Sequence, residues 1–420
     1  MGGMKKLFAI FGLFFCAGNW AAADSNLQKI SLKKNFQTEE FVLENETDFF
    51  EKGEKYFFKS SPVKFFEPNF CPRFQFLNSP RTTIVKNFPE FTTQDFSEIS
   101  LRKIENFLRR EIAPKFERKS SPVKISADAN GNILFDGAGS FGQKLEIHRS
   151  AQILKKAIEK GVSTVNLAFE KVEPKIEIDP NLSNKNFEQI SLLAVGDSDF
   201  SRSPANRIFN IRTGAARFDG TVLRAGEIFS FNKILGKVDA AAGYRPELVI
   251  KGARTVPEFG GGLCQISTTV FRAATLAGLK IVERHPHAYA VNYYKPFGTD
   301  ATIYLGGKNL RFLNDTGGDL ILQMRVAGNK VFAHFYGKKD GRKIFTLGPQ
   351  FWNFQAAPPP QRIFDESLPP GVEKKVSGIH PGLNSMWLQI VKKENGGGFL
   401  EKFFSPFEAR GIVTIFGAES

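Results

Sequence analysis

The chain is poor in cysteine, with only Cys16, Cys71 and Cys264 among its 420 residues. None of the three lies close to another in sequence, so the paired cysteines typical of structural zinc sites are missing. A disulfide between Cys71 and Cys264 stays open as an alternative, because such bonds form in proteins outside the cytoplasm. Cys264 is therefore either part of a disulfide or a thiol free for chemistry.

Long apolar segments are also missing beyond the N-terminus, so we expect no second membrane-spanning segment. At the N-terminus, Lys5 and Lys6 precede an apolar run over residues 7–15, and three alanines at 21–23 offer a small-residue cleavage site. This pattern predicts a secretory signal peptide over residues 1–23, with an uncleaved membrane anchor as the alternative. We therefore expect an extracytoplasmic protein, secreted or associated with the cell envelope.

Acidic residues are fewer than basic ones, 43 against 57, which leaves a formal net charge of +14. A basic surface attracts polyanions such as nucleic acid, anionic lipid headgroups or phosphate-bearing wall polymers. Because export is predicted, we expect no nucleic acid partner, and wall polymers or the membrane surface are left. Hydrophobic residues at 42% and charged residues at 24% indicate a globular chain and not a disordered one.

The pattern of apolar residues predicts a multidomain α+β protein. Helical spacing predicts helices over 94–113 and 147–160, Asn130-Gly131 predicts a β-hairpin, and alternation between Met386 and Ile390 predicts a strand. The expected units are the signal peptide at 1–23, an irregular or β region at 24–90, a small α+β module at 91–180, a central mixed α+β domain at 204–345 and a β-rich C-terminal module at 361–420.

Residues 260–267 carry the most informative pattern, Gly-Gly-Gly-Leu-Cys-Gln-Ile-Ser. Three glycines allow a tight turn and a close approach to a ligand. The periodicity that follows predicts a helix over 265–279, so Cys264 stands at a helix N-terminus. Free amides and the helix dipole favour an anion there, which lowers a thiol pKa from ~8.5 into the range ~3.5–7.5. Cys264 is the predicted nucleophile, and the amides of residues 262–265 are the predicted oxyanion donors.

Two histidines and an aspartate follow this helix. Short strands are expected over 279–284, over 288–294 and from Asp300 onward, with His285 and His287 between the first two. Either histidine is a candidate base for a nucleophilic cysteine, and Asp300 is the candidate that orients one of them. Three alternatives stay open: an ordinary turn around the histidines, a zinc site formed by these three side chains with the cysteine, or a phosphate site at the glycines. We expect neither a metal nor a cofactor.

An alternating segment lies upstream of the glycines. Residues 226–232 predict a strand with Phe229 and Phe231 facing inward and Ser230 and Asn232 facing outward. Core packing is the simpler explanation of both phenylalanines.

The ordered motifs of residues 206–337 resemble the VanW family, which occurs in glycopeptide-resistance clusters and among exported bacterial wall proteins. The matching motifs are Asn210-Ile211, Gly220-Thr221, Gly226-Glu227, Phe229-Ser230-Phe231-Asn232, Gly243-Tyr244, Gly260-Gly261-Gly262, Cys264-Gln265, Ser267-Thr268-Thr269, Ala277-Gly278-Leu279, Glu283-Arg284-His285, His287, Gly298 and Asp300-Ala301-Thr302. The chain departs from the family at Ala225, where proline is common, and at Ala288, where serine is common.

The resemblance implies an L,D-transpeptidase-like activity on peptidoglycan. The cysteine of the glycine motif would attack the carbonyl after the third residue of a donor stem peptide and expel the terminal D-alanine. An acceptor amine would then complete a crosslink, or water would complete a carboxypeptidase reaction. The module at 91–180 resembles the peptidoglycan-binding module that often precedes such domains. A non-catalytic protein that binds peptidoglycan or wall polymers is the alternative.

Two groups of site residues result from this reading. The predicted catalytic residues are Cys264, His287, His285 and Asp300. The predicted substrate-binding or oxyanion residues are Gly260, Gly261, Gly262, Gln265, Ser267, Asn232 and Tyr244.

Overall fold

The computed structural model describes residues 29–34, 37–42, 99–160, 164–182, 189–251 and 254–418. The predicted signal peptide and Cys71 lie outside the described residues. Helices are few and strands are many and lie in several sheets, as expected for a multidomain α+β protein. Within these ranges, no helix combines the length and the apolar character needed to cross a membrane.

The part of the chain before residue 190 combines two helical segments with small sheets. Its elements are β1 (Lys29–Lys34), β2 (Gln37–Val42), α1 (Leu101–Phe107), a π-helical turn (Leu108–Ile112), α2 (Ala113–Phe116), β3 (Ser121–Ala127), β4 (Ile133–Ser140), β5 (Gly142–Leu145), α3 (Ile147–Glu159), β6 (Thr164–Asn166), β7 (Phe169–Val172), β8 (Ile176–Ile178) and a 3-10 turn (Pro180–Leu182). The strands pair in the orders β2–β1–β6, β4–β3–β8 and β5–β7. Helices α1 and α3 pack together through a core that includes Ile104 and Leu154.

The sequence determines the ends of several of these elements. The Ser100 side chain accepts a hydrogen bond from the Lys103 amide at 3.3 Å and caps α1, so the described part of the helix predicted over 94–113 starts immediately after this serine. Gly131, with a φ of +82°, turns the predicted hairpin between β3 and β4. The helix predicted over 147–160 is α3, which confirms that prediction.

The central part of the chain holds the glycine motif. Its elements are β9 (Ile190–Asp199), α4 (Ala205–Ala216), β10 (Thr221–Leu223), β11 (Ile228–Ser230), α5 (Phe231–Leu235), β12 (Pro246–Lys251), β13 (Arg254–Phe259), α6 (Leu263–Leu276), β14 (Lys280–Glu283), a 3-10 turn (Asn292–Tyr294), β15 (Arg311–Leu313), β16 (Leu320–Ala327) and β17 (Lys330–Lys338). An antiparallel sheet has the order β10–β16–β17–β9, a second has the order β11–β15–β14, and β12 pairs with β13.

Helix α6 is the central core helix and packs against β9 and β17. Every residue of α6 except Cys264 and Leu276 is buried. The helix approaches β9 closely because Gly196 has no side chain: a Cβ there would lie 2.4 Å from the carbonyl oxygen of Thr269. A helix buried on all sides is held in place by its surroundings, so its first turn is a rigid support for a functional group.

From residue 343 onward, all regular elements of the described chain are strands. They are β18 (Lys343–Gln355), β19 (Gln361–Phe364), β20 (Glu373–Ser377), β21 (Gly382–Lys392), β22 (Gly398–Phe407) and β23 (Val413–Phe416). The sheet orders are β18–β21–β22 and β19–β23–β20. A turn at residues 394–396 joins β21 to β22.

The alternation predicted between Met386 and Ile390 is present in β21. Met386, Leu388 and Ile390 are only half-buried, whereas Trp387 is 1% exposed. The indole stacks on Phe403 with ring centroids 4.1 Å apart and meets Phe271 of α6 edge to face at 6.1 Å. The larger aromatic side chain therefore decides which face of this strand enters the core.

The strand predicted over 288–294 is wrong. This segment consists of bends and the 3-10 turn, and the third predicted strand is reduced to a single bridge between His285 and Thr302. Pro286 lacks the amide hydrogen that a regular ladder needs at this point. Side-chain contacts therefore determine the conformation of this segment, and it does not pair with another strand along its length.

The strand predicted over 226–232 is shorter than expected. β11 ends at Ser230, and Phe231 begins helix α5. Phe229 and Phe231 are 2% and 0% exposed, so the prediction that both face inward is confirmed.

Candidate functional site

A turn of three glycines leads into α6. The φ angles are +83° at Gly260 and +114° at Gly262, values that favour glycine. A Cβ on Gly261 would lie only 2.8 Å from atoms of β12, so the turn is also closely packed. The helix begins at Leu263, two residues earlier than predicted, and Cys264 lies within its first turn.

Cys264, His287 and Asp300 meet at this helix start. Nδ1 of His287 donates to Oδ2 of Asp300 at 2.5 Å, and the same oxygen accepts the His287 backbone amide at 2.8 Å. Since Nδ1 of His287 is occupied by Asp300, Nε2 is the nitrogen left to interact with the Cys264 thiol, and each of these two groups shifts the pKa of the other. His287 and Asp300 are 4% and 2% exposed, whereas Cys264 is half-buried. Cys264 is therefore the most exposed residue of the three.

The electrostatics of this trio favour an ion pair. Burial alone would raise the pKa of Cys264, but the hydrogen bond and charge of His287, with the Thr302 hydroxyl, lower that pKa to about 7. Burial would lower the pKa of His287, but its bonds to Asp300 and the thiol raise that pKa to about 9. Burial would also raise the pKa of Asp300, yet His287 and Arg284 hold it well below its usual range. Both shifts favour a thiolate paired with an imidazolium near neutral pH.

The segment that follows the aspartate supplies further neighbours of the sulfur. Sγ of Cys264 lies 3.4 Å from Oγ1 of Thr302 and 3.7 Å from the carbonyl oxygen of Ile303. Ser267, one turn further along α6, donates to the carbonyl of Ala301 at 2.6 Å. These bonds tie the start of α6 to the segment that bears the aspartate and fix the position of the thiol.

Arg284 lies on the other side of Asp300. Its Nη2 donates to Oδ1 of Asp300 at 3.1 Å and its Nε to the Asp300 carbonyl at 2.6 Å. Nη1 donates to Oγ of Ser405 in β22 at 2.8 Å. Both partners of the ion pair are nearly inaccessible, at 4% and 3% side-chain exposure, so losing either leaves a buried charge that costs about 3–5 kcal/mol. Arg284 therefore positions Asp300 and connects it to the C-terminal sheet.

Tyr294 and Arg207 flank the imidazole. The Tyr294 ring stacks on His287 with centroids 4.7 Å apart, and burial raises the pKa of this tyrosine to about 12, so its hydroxyl keeps its proton. The Arg207 guanidinium interacts with Tyr294 and donates to Oε1 of Gln265 at 2.8 Å. Gln265 is fully buried and donates to the Asp199 carbonyl at 3.0 Å. Gln265 therefore braces the helix start from within the protein.

The predicted oxyanion donors are only partly available. The Leu263 amide donates to the Gly260 carbonyl at 3.1 Å, and the Gln265 amide donates to the Gly262 carbonyl at 2.9 Å. Within the described ranges, the amides of Gly262 and Cys264 donate to no protein acceptor. The amide of Cys264 itself, in the first turn of the helix, is thus the donor beside the sulfur.

The remaining predicted residues lie outside this trio. Nε2 of His285 is 3.0 Å from Oε1 of Glu283, so the structure joins the second histidine of the pair to the thiol and not the first. Asn232 lines a surface cleft that also contains Glu283 and Arg311. Tyr244 is 3% exposed and packs in the central core, so its ring does not face solvent. Their assignment to substrate binding stays a prediction.

Sequence reasoning gave no role to four residues that shape the site: Arg207, Arg284, Tyr294 and Thr302. Arg284 and Thr302 stand inside the quoted motifs beside a histidine and the aspartate, and that adjacency is a usable signal. Arg207 and Tyr294 lie far from Cys264 in sequence and carry no local pattern. Only the fold brings them to the helix start.

The zinc alternative has little geometric support. His285 is engaged by Glu283 and does not join the other three side chains. In the part of the chain that the structure describes, no group of three or more His, Cys, Asp or Glu side chains could hold a metal ion. Cys264 is a free thiol there.

The central part of the chain is similar to known proteins. Residues 206–336 match the family model described as VanW-like protein. The uncharacterized protein YoaR of Bacillus subtilis (strain 168) is 32% identical over 165 residues, which cover 39% of this chain and 54% of that protein. The vancomycin B-type resistance protein VanW of Enterococcus faecalis (strain ATCC 700802 / V583) is 25% identical over 146 residues, 34% of this chain and 53% of that protein.

The chain spans about half the length of these curated relatives. The matched residues include the glycine turn, Cys264, His287 and Asp300, which the structure brings together. Residues 206–336 of this chain are therefore similar to proteins of the VanW family.

Proposed function

We propose that this chain is an exported cell-wall protein that transfers acyl groups on peptidoglycan stem peptides, with L,D-transpeptidase-like chemistry at Cys264. The observation that carries the proposal is the grouping of Cys264, His287 and Asp300 at the start of a buried helix, with His287 hydrogen-bonded to Asp300 and electrostatically coupled to the thiol. A relative named for vancomycin resistance agrees with a role in the cell wall. The modules at 91–180 and 361–420 would contribute binding to the wall.

The first half of the reaction acylates the cysteine. The Cys264 thiolate attacks the carbonyl carbon after the third stem residue, a C–S bond forms, and the carbonyl oxygen takes the negative charge. The amide of Cys264 is placed to stabilise that oxyanion. As the C–N bond breaks, the departing amine takes the proton from Nε2 of His287, D-alanine leaves, and a thioester stays on the sulfur.

The second half regenerates the enzyme. An acceptor amine attacks the thioester carbonyl and loses its proton to His287, and the C–S bond breaks to restore the thiolate. Water in place of the amine gives a trimmed stem. Asp300 stays ionised throughout, keeps the imidazole oriented and stabilises its positive charge.

A non-catalytic wall-binding protein is the second candidate function. The net charge of +14 favours it, because a basic surface adheres to anionic wall polymers or to the membrane surface without any nucleophile. In that case Cys264 would be dispensable.

The test compares the full chain with its Cys264→Ala variant on tetrapeptide-containing muropeptides. Released D-alanine and crosslinked products would be quantified by mass spectrometry, and wall binding by co-sedimentation. We expect the variant to lose both products and to keep wall binding. Products formed by the variant at the wild-type rate would disprove the catalytic function and leave the binding function.

A further inference from the structure

Arg207 of α4 is a half-buried cation without a carboxylate partner. Its Nε donates to Oγ of Ser203 at 3.1 Å, its Nη2 donates to Oε1 of Gln265 at 2.8 Å, and its guanidinium lies over the Tyr293 ring at 4.6 Å. All of these partners are neutral, and among the described residues no acidic side chain forms an ion pair with Arg207. Charged groups withdrawn from solvent are normally paired, so among the described residues this cation lacks a carboxylate partner.

The position of this guanidinium relates it to the reactive sulfur. A Cβ on Gly262 would lie 3.1 Å from Cγ of Arg207, so the arginine stem runs directly along the glycine turn. Gln265, which accepts its hydrogen bond, is the residue after Cys264. The thiol and the Tyr294 hydroxyl both interact electrostatically with the guanidinium. Arg207 therefore lies beside the glycine turn and within electrostatic reach of Cys264.

The geometry of a guanidinium favours one class of ligand. Its planar set of donors binds carboxylates in a fixed orientation, more specifically than an ammonium does. In a peptide that loses one C-terminal residue, the free carboxylate is attached to the Cα next to the nitrogen of the broken bond. A carboxylate so close to the reacting atoms needs a cation near the nucleophile, and Arg207 is that cation.

We propose that Arg207 forms a carboxylate subsite beside Cys264 that selects donor peptides ending one residue after the scissile bond. The subsite makes the enzyme an exo-acting one, which removes or exchanges a single terminal residue and does not cut within a longer peptide. The identity of the substrate rests on the proposed function, whereas recognition of the carboxylate by Arg207 does not.

The first experiment measures anion recognition with two small alkylating agents on the full chain. Iodoacetate and iodoacetamide form the same C–S bond with loss of iodide, but only iodoacetate carries a carboxylate. Rates at Cys264 would be followed by peptide mass spectrometry for wild type, Arg207→Gln, Arg207→Lys and Arg212→Gln. Arg212 is exposed on the same helix, so Arg212→Gln removes the same charge at a matched position outside the site.

Arg207→Gln should lower the ratio of the iodoacetate rate to the iodoacetamide rate by about tenfold, the loss typical of one charge-assisted hydrogen bond. Arg207→Lys, which keeps the charge without the planar donors and guards against a folding defect of the first variant, should lower the ratio by less. Arg212→Gln should leave it unchanged. If Arg207→Gln lowers both alkylation rates equally, the arginine acts only on the thiolate. If Arg212→Gln lowers the ratio as much as Arg207→Gln does, iodoacetate is attracted by the overall positive charge and not by a subsite. Either result would overturn the subsite.

The second experiment separates the subsite from the proposed function. A stem tetrapeptide and its C-terminal amide would be compared as donors by the release of D-alanine or D-alanine amide. Wild type should prefer the free acid, and Arg207→Gln should lose that preference. Failure of wild type on both peptides would contradict the acyl transfer, and the alkylation ratio would still decide whether Arg207 binds a carboxylate.

Discussion

At the scale of single residues, the proposed proton transfer depends on which histidine interacts with Cys264. His287 is linked to both the thiol and Asp300, whereas His285 is bonded to Glu283 at 3.0 Å. General acid–base catalysis contributes about 10²–10⁴-fold to rate. The two histidines therefore differ in their expected contribution although they are only two residues apart.

His287→Ala should reduce D-alanine release by about 10²–10⁴-fold, because the variant lacks the group that moves the proton. His285→Ala is the matched control and should keep the wild-type rate. The measurement is a steady-state rate on muropeptides at pH 8 for both variants. A larger loss of rate in His285→Ala than in His287→Ala would contradict the assignment of the proton transfer to His287.

Part of this trio could be predicted from the sequence. Cys264 is identifiable because a glycine turn before a periodic helix is a local pattern. Asp300 is identifiable because it opens the third strand predicted after that helix. The choice between the histidines is not local, because both lie between the two predicted strands and the pattern does not distinguish them. In the structure, His285 bridges to Thr302 and bonds to Glu283, whereas His287 bonds to Asp300.

At the scale of elements, the glycine turn and α6 hold the thiol in place. Gly262 has a φ of +114°, and a Cβ there would lie 3.1 Å from side chains of α4. Gly226 has a φ of +79° but open space around it. The two glycines therefore separate the cost of backbone strain from the cost of close packing.

Gly262→Ala should destabilise the protein by more than Gly226→Ala, for which only the backbone strain of about 1–2 kcal/mol is expected. Gly262→Ala should also slow alkylation of Cys264, because the helix start must shift to make room for the methyl group. Urea unfolding gives the free energies, and iodoacetamide gives the reactivity. Equal costs with unchanged reactivity would contradict a closely packed turn.

The helices and strands could be predicted where apolar residues recur at a regular spacing. The prediction failed where contacts with distant residues determine the conformation. Helix α6 was expected from its spacing, and its start differs by two residues because the glycine turn itself caps the helix. β21 was expected from its alternation, but the buried face is the one that carries Trp387. The alternation of apolar residues predicts a strand, whereas contacts with neighbours such as Phe271 and Phe403 determine which face of that strand is buried.

At the scale of the whole molecule, the C-terminal sheet supports the candidate site. Nε1 of Trp387 donates to the carbonyl of Gly298 at 2.8 Å, two residues before Asp300. Trp387 also belongs to the same core cluster as α6, and Ser405 accepts a hydrogen bond from Arg284. No local pattern predicts these two hydrogen bonds, because their partners are 89 and 121 residues apart in sequence.

Trp387→Ala should therefore destabilise the protein by about 3–5 kcal/mol and lower the unfolding temperature of the site together with that of the sheet. Trp352→Ala is the matched control, since Trp352 lies in β18 of the same sheet but is 40% exposed. Thermal unfolding would be followed by circular dichroism and by the alkylation rate of Cys264 at pH 7, which should fall when the site unfolds. Loss of the sheet signal while Cys264 keeps its native alkylation rate would contradict the shared core.

The central claim is that Cys264 is ionised by His287 near neutral pH, and the pH dependence of its alkylation by iodoacetamide tests it most directly. The rate would be quantified on the peptide that contains Cys264, so that other cysteines do not contribute. We predict a rate that rises with pH through a midpoint of about 7, and a midpoint moved upward in His287→Ala. A wild-type midpoint at the ordinary thiol value of ~8.5 or above, or a thiol inert at neutral pH, would contradict the account.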